Sequence, residues 1–199
     1  MKKILHIISS PRGDASISTQ LGYAIVEKIK EANPGSTVNE TNLVKKQLPH
    51  LEEAQLVSFF TPADTRTAEH LEAIKNSDDA ISDLMEADII VIDTPLYNFG
   101  IPSGLKAWVD HIARAGVTFS YDANGPKGLV EGKKVYVALA SGGIYSDGPM
   151  QGYDFVAPYL KSVLGFLGMK DLTVFRAEGT SYPDLKNQAL QKAIDSVTL

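Results

Sequence analysis

The chain has 199 residues, a formal net charge of −5 at pH 7 and no cysteine. This length suits a single domain over residues 1–199 that buries about 70% of the surface of its unfolded form. The missing cysteines exclude thiolate catalysis, cysteine-ligated zinc, iron–sulfur clusters and disulfides, and the acidic balance argues against a general nucleic-acid binder.

The N-terminus favours a cytoplasmic protein that does not enter a membrane. Met1-Lys2-Lys3 leads into an apolar stretch that ends at Ser9, which is too short for a signal peptide. No apolar run approaches the roughly 20 residues of a membrane-spanning helix. We therefore expect a cytoplasmic location, with neither a membrane nor a nucleic acid among the partners.

Short apolar runs alternate with helical patterns along the chain. Strands are predicted at Ile4–Ile8, Thr37–Leu43, Ile89–Ile92, Val135–Ala140 and Leu172–Phe175, of which the second and fifth are weaker. Apolar residues at helical spacing mark five helices, at Leu21–Ile29, Leu71–Leu84, Leu105–Ile112, Val156–Leu167 and Leu190–Val197. The third strand is apolar at every position, which is typical of a parallel sheet covered on both faces.

Strands that alternate with helices predict βαβ crossovers. The fold class is therefore α/β: a flavodoxin-like, doubly wound sheet of five parallel strands in the order 2-1-3-4-5, with helices on both faces. Residues Lys45–Arg66 have no clear period. We interpret them as an excursion before the second helix, serving either as a lid or subunit contact or as a plain surface loop.

Three loops follow strands whose carboxyl ends meet at one edge of the predicted sheet. They are Ser9–Ser18, Thr94–Gly100 and Ala140–Tyr145. Open parallel sheets bind ligands at this edge, near the point where the strand order reverses. The three loops are thus the candidate functional segments.

The first loop carries hydroxyl groups at Ser10, Ser16 and Ser18 and leads into a helix. It lacks the G-x-G-x-x-G and Walker patterns of nucleotide-binding loops. Its hydroxyls, free amides and helix N-terminus suit a phosphate monoester, to which Arg12 would add positive charge. The alternative is an ordinary helix cap with turn serines.

The other two loops differ in chemistry. In Leu96–Phe99, the rings of Tyr97 and Phe99 offer flat apolar surfaces, and Asn98 can donate to and accept from a ring edge. The alternative is that these residues close the end of the core. Ala140–Gly143 lets backbone amides approach a ligand because glycine has no Cβ, unless it is a plain tight turn. The three loops together predict a phosphorylated heterocycle.

The polar residues outside these loops predict no metal site. The four histidines, His6, His50, His70 and His111, have no metal-ligand spacing. His6 lies in the first strand and is expected to be a core residue. Asp93, at the end of the third strand, is either structural or close to the ligand.

Over nearly its whole length the sequence resembles the FMN-dependent NADH:azoreductases, also called FMN-dependent NADH:quinone oxidoreductases, of the flavodoxin-like quinone reductase superfamily. The marks are Ser9-Ser10-Pro11-Arg12, Ser16-Ile17-Ser18, Pro95-Leu96-Tyr97-Asn98-Phe99, Ala113-Arg114-Ala115-Gly116-Val117-Thr118-Phe119, Ser141-Gly142-Gly143-Ile144 and Gly165-Phe166-Leu167-Gly168.

This resemblance implies that FMN is the bound cofactor and assigns residues to each part of it. The phosphate would be held by Ser10, Ser16, Ile17 and Ser18. The flavin ring would lie along Leu96, Tyr97, Asn98 and Phe99, and its pyrimidine edge would meet Ala140, Ser141, Gly142 and Gly143. Asn98 would position the ring, and Phe119 would help to wall the acceptor pocket.

The resemblance also implies the reaction and the assembly. NADH or NADPH would deliver a hydride in a ping-pong cycle, and the acceptor would be a quinone, reduced by two electrons to the hydroquinone, or an aromatic azo compound, cleaved to two amines in two cycles. The flavin would carry the chemistry, so no protein nucleophile is required. The family implies a homodimer with active sites at the subunit interface, where Lys45–Arg66 of the partner subunit would wall the pocket.

Three other functions stay open at this point. They are a flavodoxin-type electron carrier, for which a charge of −5 is modest, a module for another phosphorylated ligand without a redox role, and an FAD enzyme of the same superfamily. The sequence assigns no residue to the ribose of the nicotinamide, so it does not separate NADH from NADPH.

Overall fold

The structure is a computed structural model that describes residues 1–123 and 125–199. Its strands are β1 (Lys3–Ile8), β2 (Thr37–Asn42), β3 (Ile89–Pro95), β4 (Phe119–Asp122), β5 (Gly125–Gly128), β6 (Lys134–Ala140) and β7 (Asp171–Ala177). Five of them form a parallel sheet in the order β2-β1-β3-β6-β7. Counted among themselves, these strands have the order 2-1-3-4-5, so the predicted sheet and its order are confirmed.

The remaining two strands, β4 and β5, pair antiparallel in a separate small sheet. This pair was not predicted. Each strand has only four residues, and neither forms an apolar run that a sequence pattern would detect.

The helices are α1 (Ile17–Ala32), α2 (Glu53–Phe60), α3 (Ala68–Glu86), α4 (Ser103–Ile112), α5 (Ala157–Phe166) and α6 (Lys186–Asp195). All but α2 lie where helices were predicted. The sequence analysis missed α2, which lies inside the Lys45–Arg66 segment. It has only eight residues, which is shorter than the window of 11–18 residues over which helical periodicity is read.

Side chains of β1 alternate between two buried clusters. Leu5 and Ile7 join a cluster built with residues of α3, α4 and α5, whereas Ile4 joins one built with α1 and α6. Because successive side chains of a strand point to opposite faces of its sheet, the two clusters lie on opposite faces. All seven residues of β3 are buried between them.

Two negative findings hold for the described residues. They contain no group of three or more His, Cys, Asp or Glu side chains that could hold a metal ion. None of their helices combines the length and the apolar character that a membrane span requires.

Candidate functional site

The strand register brings three loops to the carboxyl edge of the sheet. Ile8 of β1 is paired with Asp93 of β3, and Pro95 of β3 with Ala140 of β6. The hydroxyl of Ser9 donates a hydrogen bond to the carbonyl oxygen of Asp93 at 2.6 Å. The N–H of Leu96 donates one to the carbonyl oxygen of Ala140 at 2.8 Å. The loops after β1, β3 and β6 are therefore neighbours.

The loop after β1 ends in a capped helix N-terminus. Ser16 is the N-cap of α1, and its Oγ accepts a hydrogen bond from the N–H of Thr19 at 3.5 Å. The first backbone bond inside the helix runs from the N–H of Gln20 to the carbonyl of Ser16. The amides of Ile17 and Ser18 precede that bond, as the first amides of a helix do, and are free to meet a ligand.

Buried hydroxyl groups surround these amides. Ser10, Ser16 and Ser18 are each at most 3% exposed, and the Oγ atoms of Ser16 and Ser18 lie 3.0 Å apart. Hydroxyls and helix amides are all donors, and the helix dipole adds positive potential. This set of donors fits a phosphate group. The same turn can therefore serve both as a helix cap and as an anion-binding site.

The loop after β3 makes a tight turn with a strained backbone. Tyr97 and Gly100 exchange both backbone hydrogen bonds, at 3.0 and 2.9 Å. The two residues between them, Asn98 and Phe99, have φ values of +50° and +68°. Positive φ at both central positions defines a type I′ turn, which normally carries glycine or asparagine there. Strain of this kind at a non-glycine residue is concentrated at ligand sites.

Aromatic side chains cluster around this turn. The ring of Phe99 is 41% exposed and lies 5.3 Å from the ring of Tyr153 and 6.4 Å from that of Tyr145, centroid to centroid. The N–H of Phe155 donates to the carbonyl of Phe99 at 3.2 Å. The ring of Phe99 is inclined to those of Tyr153 and Tyr145 by 39° and 71°, so this edge carries a partly exposed apolar cluster of inclined rings.

The loop after β6 is held by the loop after β7. The carbonyls of all three residues Ser141–Gly143 accept hydrogen bonds from the backbone N–H groups of Gly179–Ser181. A Cβ on Gly142 would lie 2.6 Å from Oγ of Ser181, and one on Gly143 would lie 3.1 Å from the ring of Tyr145. These glycines therefore serve the packing of two protein loops, a role that the sequence analysis did not foresee.

Charged residues that the sequence analysis missed hold the remaining parts of this edge. Glu178 accepts hydrogen bonds from the N–H groups of Tyr145 at 2.8 Å and Ser146 at 2.9 Å. Asp154 caps α5 by accepting from Val156 N–H at 2.9 Å and pairs with Arg176 of β7. Their position in the sequence could have indicated them, because Arg176 and Glu178 stand on either side of Ala177, the last residue of β7.

A cleft of about 550 Å³ opens beside the first two loops. Pro11, Tyr97 and Asn98 line one side of it, and Gln47 and His50 line another. The last two belong to the Lys45–Arg66 segment, which thus contributes to a cleft of its own subunit. They lie in a stretch without periodicity, so no sequence signal pointed to them.

The structure does not bring Phe119 to the three loops of its own subunit. Its ring lies 4.7 Å from that of Phe166, the last residue of α5. The contact between Phe155 and Phe99 lies just before the start of α5. A ten-residue helix separates the two places, which is about 15 Å.

A buried hydrogen-bonded pair of ionisable side chains lies beneath the loops. Nε2 of His6 is 2.9 Å from each carboxylate oxygen of Asp93, and both side chains are fully buried. Burial raises the pKa of Asp93 to about 6, although the hydrogen bond from His6 opposes the rise. His6 is thus a core residue, and Asp93 directly precedes the loop that begins at Thr94.

Comparison with known proteins identifies the family. Residues 2–198 match the family described as having a flavodoxin-like fold. A protein of Herminiimonas arsenicoxydans named FMN-dependent NADH:quinone oxidoreductase is 46% identical over 198 residues, covering 99% of this chain and 97% of that protein. The chain belongs to the FMN-dependent NADH:quinone oxidoreductase family. A member of the family from Rhizobium johnstonii is 47% identical over 196 residues, which cover 98% of this chain and 94% of the Rhizobium protein.

Solved structures agree with this assignment. An azoreductase from Bacillus anthracis strain Sterne superimposes with a TM-score of 0.90 at 31% identity, covering 98% of this chain and 96% of that one. An FMN-dependent NADH-azoreductase from the Ames Ancestor strain, in complex with FMN, gives 0.86 at 31% identity, with coverages of 97% and 94%. The resemblance seen in the sequence, to a family of FMN-dependent oxidoreductases, is thereby confirmed.

Proposed function

We propose that this chain binds FMN at the carboxyl edge of its sheet and transfers electron pairs from NADH to quinones and to aromatic azo compounds. One observation carries the proposal: the register makes neighbours of a loop with buried hydroxyls at a helix start and a loop with exposed aromatic rings. FMN has a phosphate at one end and a flat ring at the other, which are the groups that these two loops suit.

The proposal assigns each loop to one part of the cofactor. The phosphate binds to the hydroxyls of Ser10, Ser16 and Ser18 and to the amides that begin at Ile17. Leu96, Tyr97, Asn98 and Phe99 lie along the ring, and Ala140, Ser141, Gly142 and Gly143 meet its pyrimidine edge. The confinement of positive φ to Asn98 and Phe99 among the non-glycine residues described supports the second assignment.

The protein contributes positioning and electrostatics. FMN, when bound, supplies the hydride chemistry. The amides of Gly142 and Gly143 would stabilise negative charge at the pyrimidine edge, and the side-chain amide of Asn98 would orient the ring. Donor and acceptor use the same open face in turn, which gives ping-pong kinetics, and two turnovers cleave one azo bond. Solvent supplies the protons.

We also propose a cytoplasmic homodimer with active sites at the subunit interface. Two observations support the dimer. Leu56, Val57 and Phe60 expose 44%, 49% and 78% of their surface on one short helix, and monomers rarely leave such a set uncovered. Phe119 lies at the far end of α5 from the loops of its own subunit, so the acceptor-pocket role that the family resemblance implies for it requires the pocket of a partner subunit. The cysteine-free composition is compatible with the cytoplasm.

Stopped-flow half-reactions test the activity. The FMN-loaded protein is mixed separately with NADH and NADPH, and the bleached protein is then mixed with menadione or an azo dye. We expect bleaching by NADH and recovery of the yellow colour with either acceptor, without a partner reductase. Mass spectrometry of the released cofactor distinguishes FMN from FAD.

Two outcomes would contradict the proposal. A protein that gains no colour from added FMN would be a binder of some other phosphorylated ligand. A coloured protein that turns over only with a separate reductase would be an electron carrier. Light scattering gives the oligomeric state, and a monomer at micromolar concentration would contradict the dimer.

A further inference from the structure

The His6–Asp93 pair lies between the sheet and α1. The ring of Tyr23, on α1, meets the imidazole of His6 edge-on, with centroids 5.0 Å apart. A Cβ on Gly22 would lie 1.7 Å from Oδ1 of Asp93. Both contacts come from the second turn of α1, so the pair is packed directly against this helix.

The pair is close to the proposed phosphate site. Gly22 is five residues after Ile17, the first residue of α1, which is about 8 Å along the helix axis. The layer between them is dry, because Ser18 and Thr19 are at most 2% exposed. Charges interact more strongly in such a layer than at the surface, where water screens them.

One nitrogen of His6 is left without a partner. Among the described residues, Nδ1 of His6 and Oγ1 of Thr19 are buried atoms with no hydrogen-bond partner. Burial raises the pKa of Asp93, the partner of His6, to about 6. Asp93 therefore loses its proton close to neutral pH, and this loss adds one negative charge to the pair.

Other ionisable groups surround the pair. Glu40 of β2 stands beside His6 in the register and accepts a hydrogen bond from the hydroxyl of Tyr23 at 2.9 Å. Burial and Glu40 raise the pKa of Tyr23 to about 12, so its proton stays. Asp14 also raises the pKa of Tyr23, from the first loop. Asp93 is therefore the group in this layer whose raised pKa lies near neutral pH.

We propose that the charge of the His6–Asp93 pair sets the affinity of the α1 N-terminus for the phosphate of FMN. The inference rests on the proposed function. A neutral pair leaves the positive end of the helix unopposed, whereas a pair with charge −1 repels the phosphate through the dry layer. By linkage, binding of FMN raises the pH at which the pair loses its proton.

The first test compares the wild-type protein with Asp93→Asn, which keeps the size of the side chain and a hydrogen-bonding group for His6 but cannot become negative. Dissociation constants of FMN and riboflavin are measured by fluorescence quenching on flavin-free protein across neutral pH. For FMN, the ratio of wild-type to variant constants should rise about tenfold as the pair loses its proton. For riboflavin, which lacks the phosphate, the ratio should stay constant. Ionisation of the phosphate cancels in the ratio.

The second test needs no variant. The side-chain carboxyl signal of Asp93 is followed by NMR as a function of pH in the free, riboflavin-bound and FMN-bound protein. FMN should move the titration midpoint upwards by about one pH unit, which corresponds to a tenfold change in affinity, and riboflavin should not.

The outcomes separate this inference from the proposed function. A wild-type protein that binds no FMN overturns both. FMN binding with a pH-independent ratio, or with an unmoved Asp93 midpoint, overturns the inference alone. An equal effect on riboflavin also overturns it, because the pair would then act on the ring or on the packing of α1 rather than on the phosphate.

Discussion

A Cβ atom on Gly22 would lie 1.7 Å from Oδ1 of Asp93, so α1 lies this close to β3 only because residue 22 has no side chain. The close approach sets the height of α1 above the sheet. It also seals the His6–Asp93 pair, both of whose side chains are fully buried.

Gly22→Ala should destabilise the protein. The new methyl group cannot fit unless α1 or Asp93 moves, and overpacking of this kind costs about 1–3 kcal/mol. Urea denaturation of the flavin-free protein gives the free energy of unfolding. Gly165→Ala is the matched control, because a Cβ there meets no atom within 4 Å, and alanine in a helix should raise stability by about 0.5–1 kcal/mol. Equal effects of the two variants would contradict the close contact.

Asp93 should make stability fall as pH rises from about 4 to 6. Burial raises the pKa of Asp93 from 3.8 to about 6 in the folded protein. Between these values the folded state holds a proton that the unfolded state has released, so raising the pH favours unfolding. Above pH 6 the full cost is present.

The matched variant for this pH effect is Asp93→Asn, which has no carboxyl group to titrate. As pH rises across this interval, the wild type should lose stability relative to the variant, as measured by the difference between their free energies of unfolding. A difference that does not change with pH would show that Asp93 has the same pKa in both states.

Gly142→Ala should weaken FMN binding, and Ser181→Ala should restore it. The added Cβ would lie 2.6 Å from Oγ of Ser181 but 3.4 Å from its Cβ. The hydroxyl alone therefore forces the loop to move, and removing it leaves an ordinary contact. Fluorescence titration should give a loss of about tenfold for the single variant, equivalent to about 1.4 kcal/mol. A double variant as weak as the single one would mean that the added Cβ obstructs the flavin itself rather than Ser181.

Phe99→Gly should separate stability from cofactor binding. Its φ of +68° is strained for phenylalanine and free of strain for glycine, so the flavin-free protein should keep or gain up to about 1 kcal/mol of stability. FMN affinity should fall several-fold because a flat surface is lost. The Asn98→Gly variant has less backbone strain at the neighbouring position and keeps the phenyl ring of Phe99. Its affinity for FMN should therefore fall less. A Phe99→Gly protein that binds FMN normally would exclude the ring from the site.

Asp154 should stabilise the protein in two separable ways. It caps α5 through the N–H groups of Val156 and Ala157 and pairs with Arg176. Asp154→Asn keeps an oxygen for the cap and loses the ion pair, whereas Asp154→Ala loses both. Thermal denaturation should show the alanine variant to be less stable by about a further 1 kcal/mol, the usual value of a cap. Identical losses would mean that the cap contributes nothing.

The strands and the loop chemistry were predictable because they depend on residues that are close in sequence. The uniformly apolar run Ile89–Ile92 indicated a parallel strand buried on both faces, and parallel strands bring their carboxyl ends to one edge. The serines before α1 and the aromatic residues after β3 could then be assigned to that edge. Helix α2 was missed because its eight residues are too few for a helical period to be recognised.

The amino-acid sequence by itself determined the parallel sheet, the identity of the three loops and the family. Tertiary packing decided the rest: that Asp93 pairs with His6, that Gly142 gives room to Ser181, and that Phe119 lies at the far end of α5 from the loops. Periodicity and turn chemistry are set by neighbours along the chain, whereas each of these contacts joins residues on different elements. Such contacts depend on how closely one element approaches another, and that distance is fixed only when the whole core is packed.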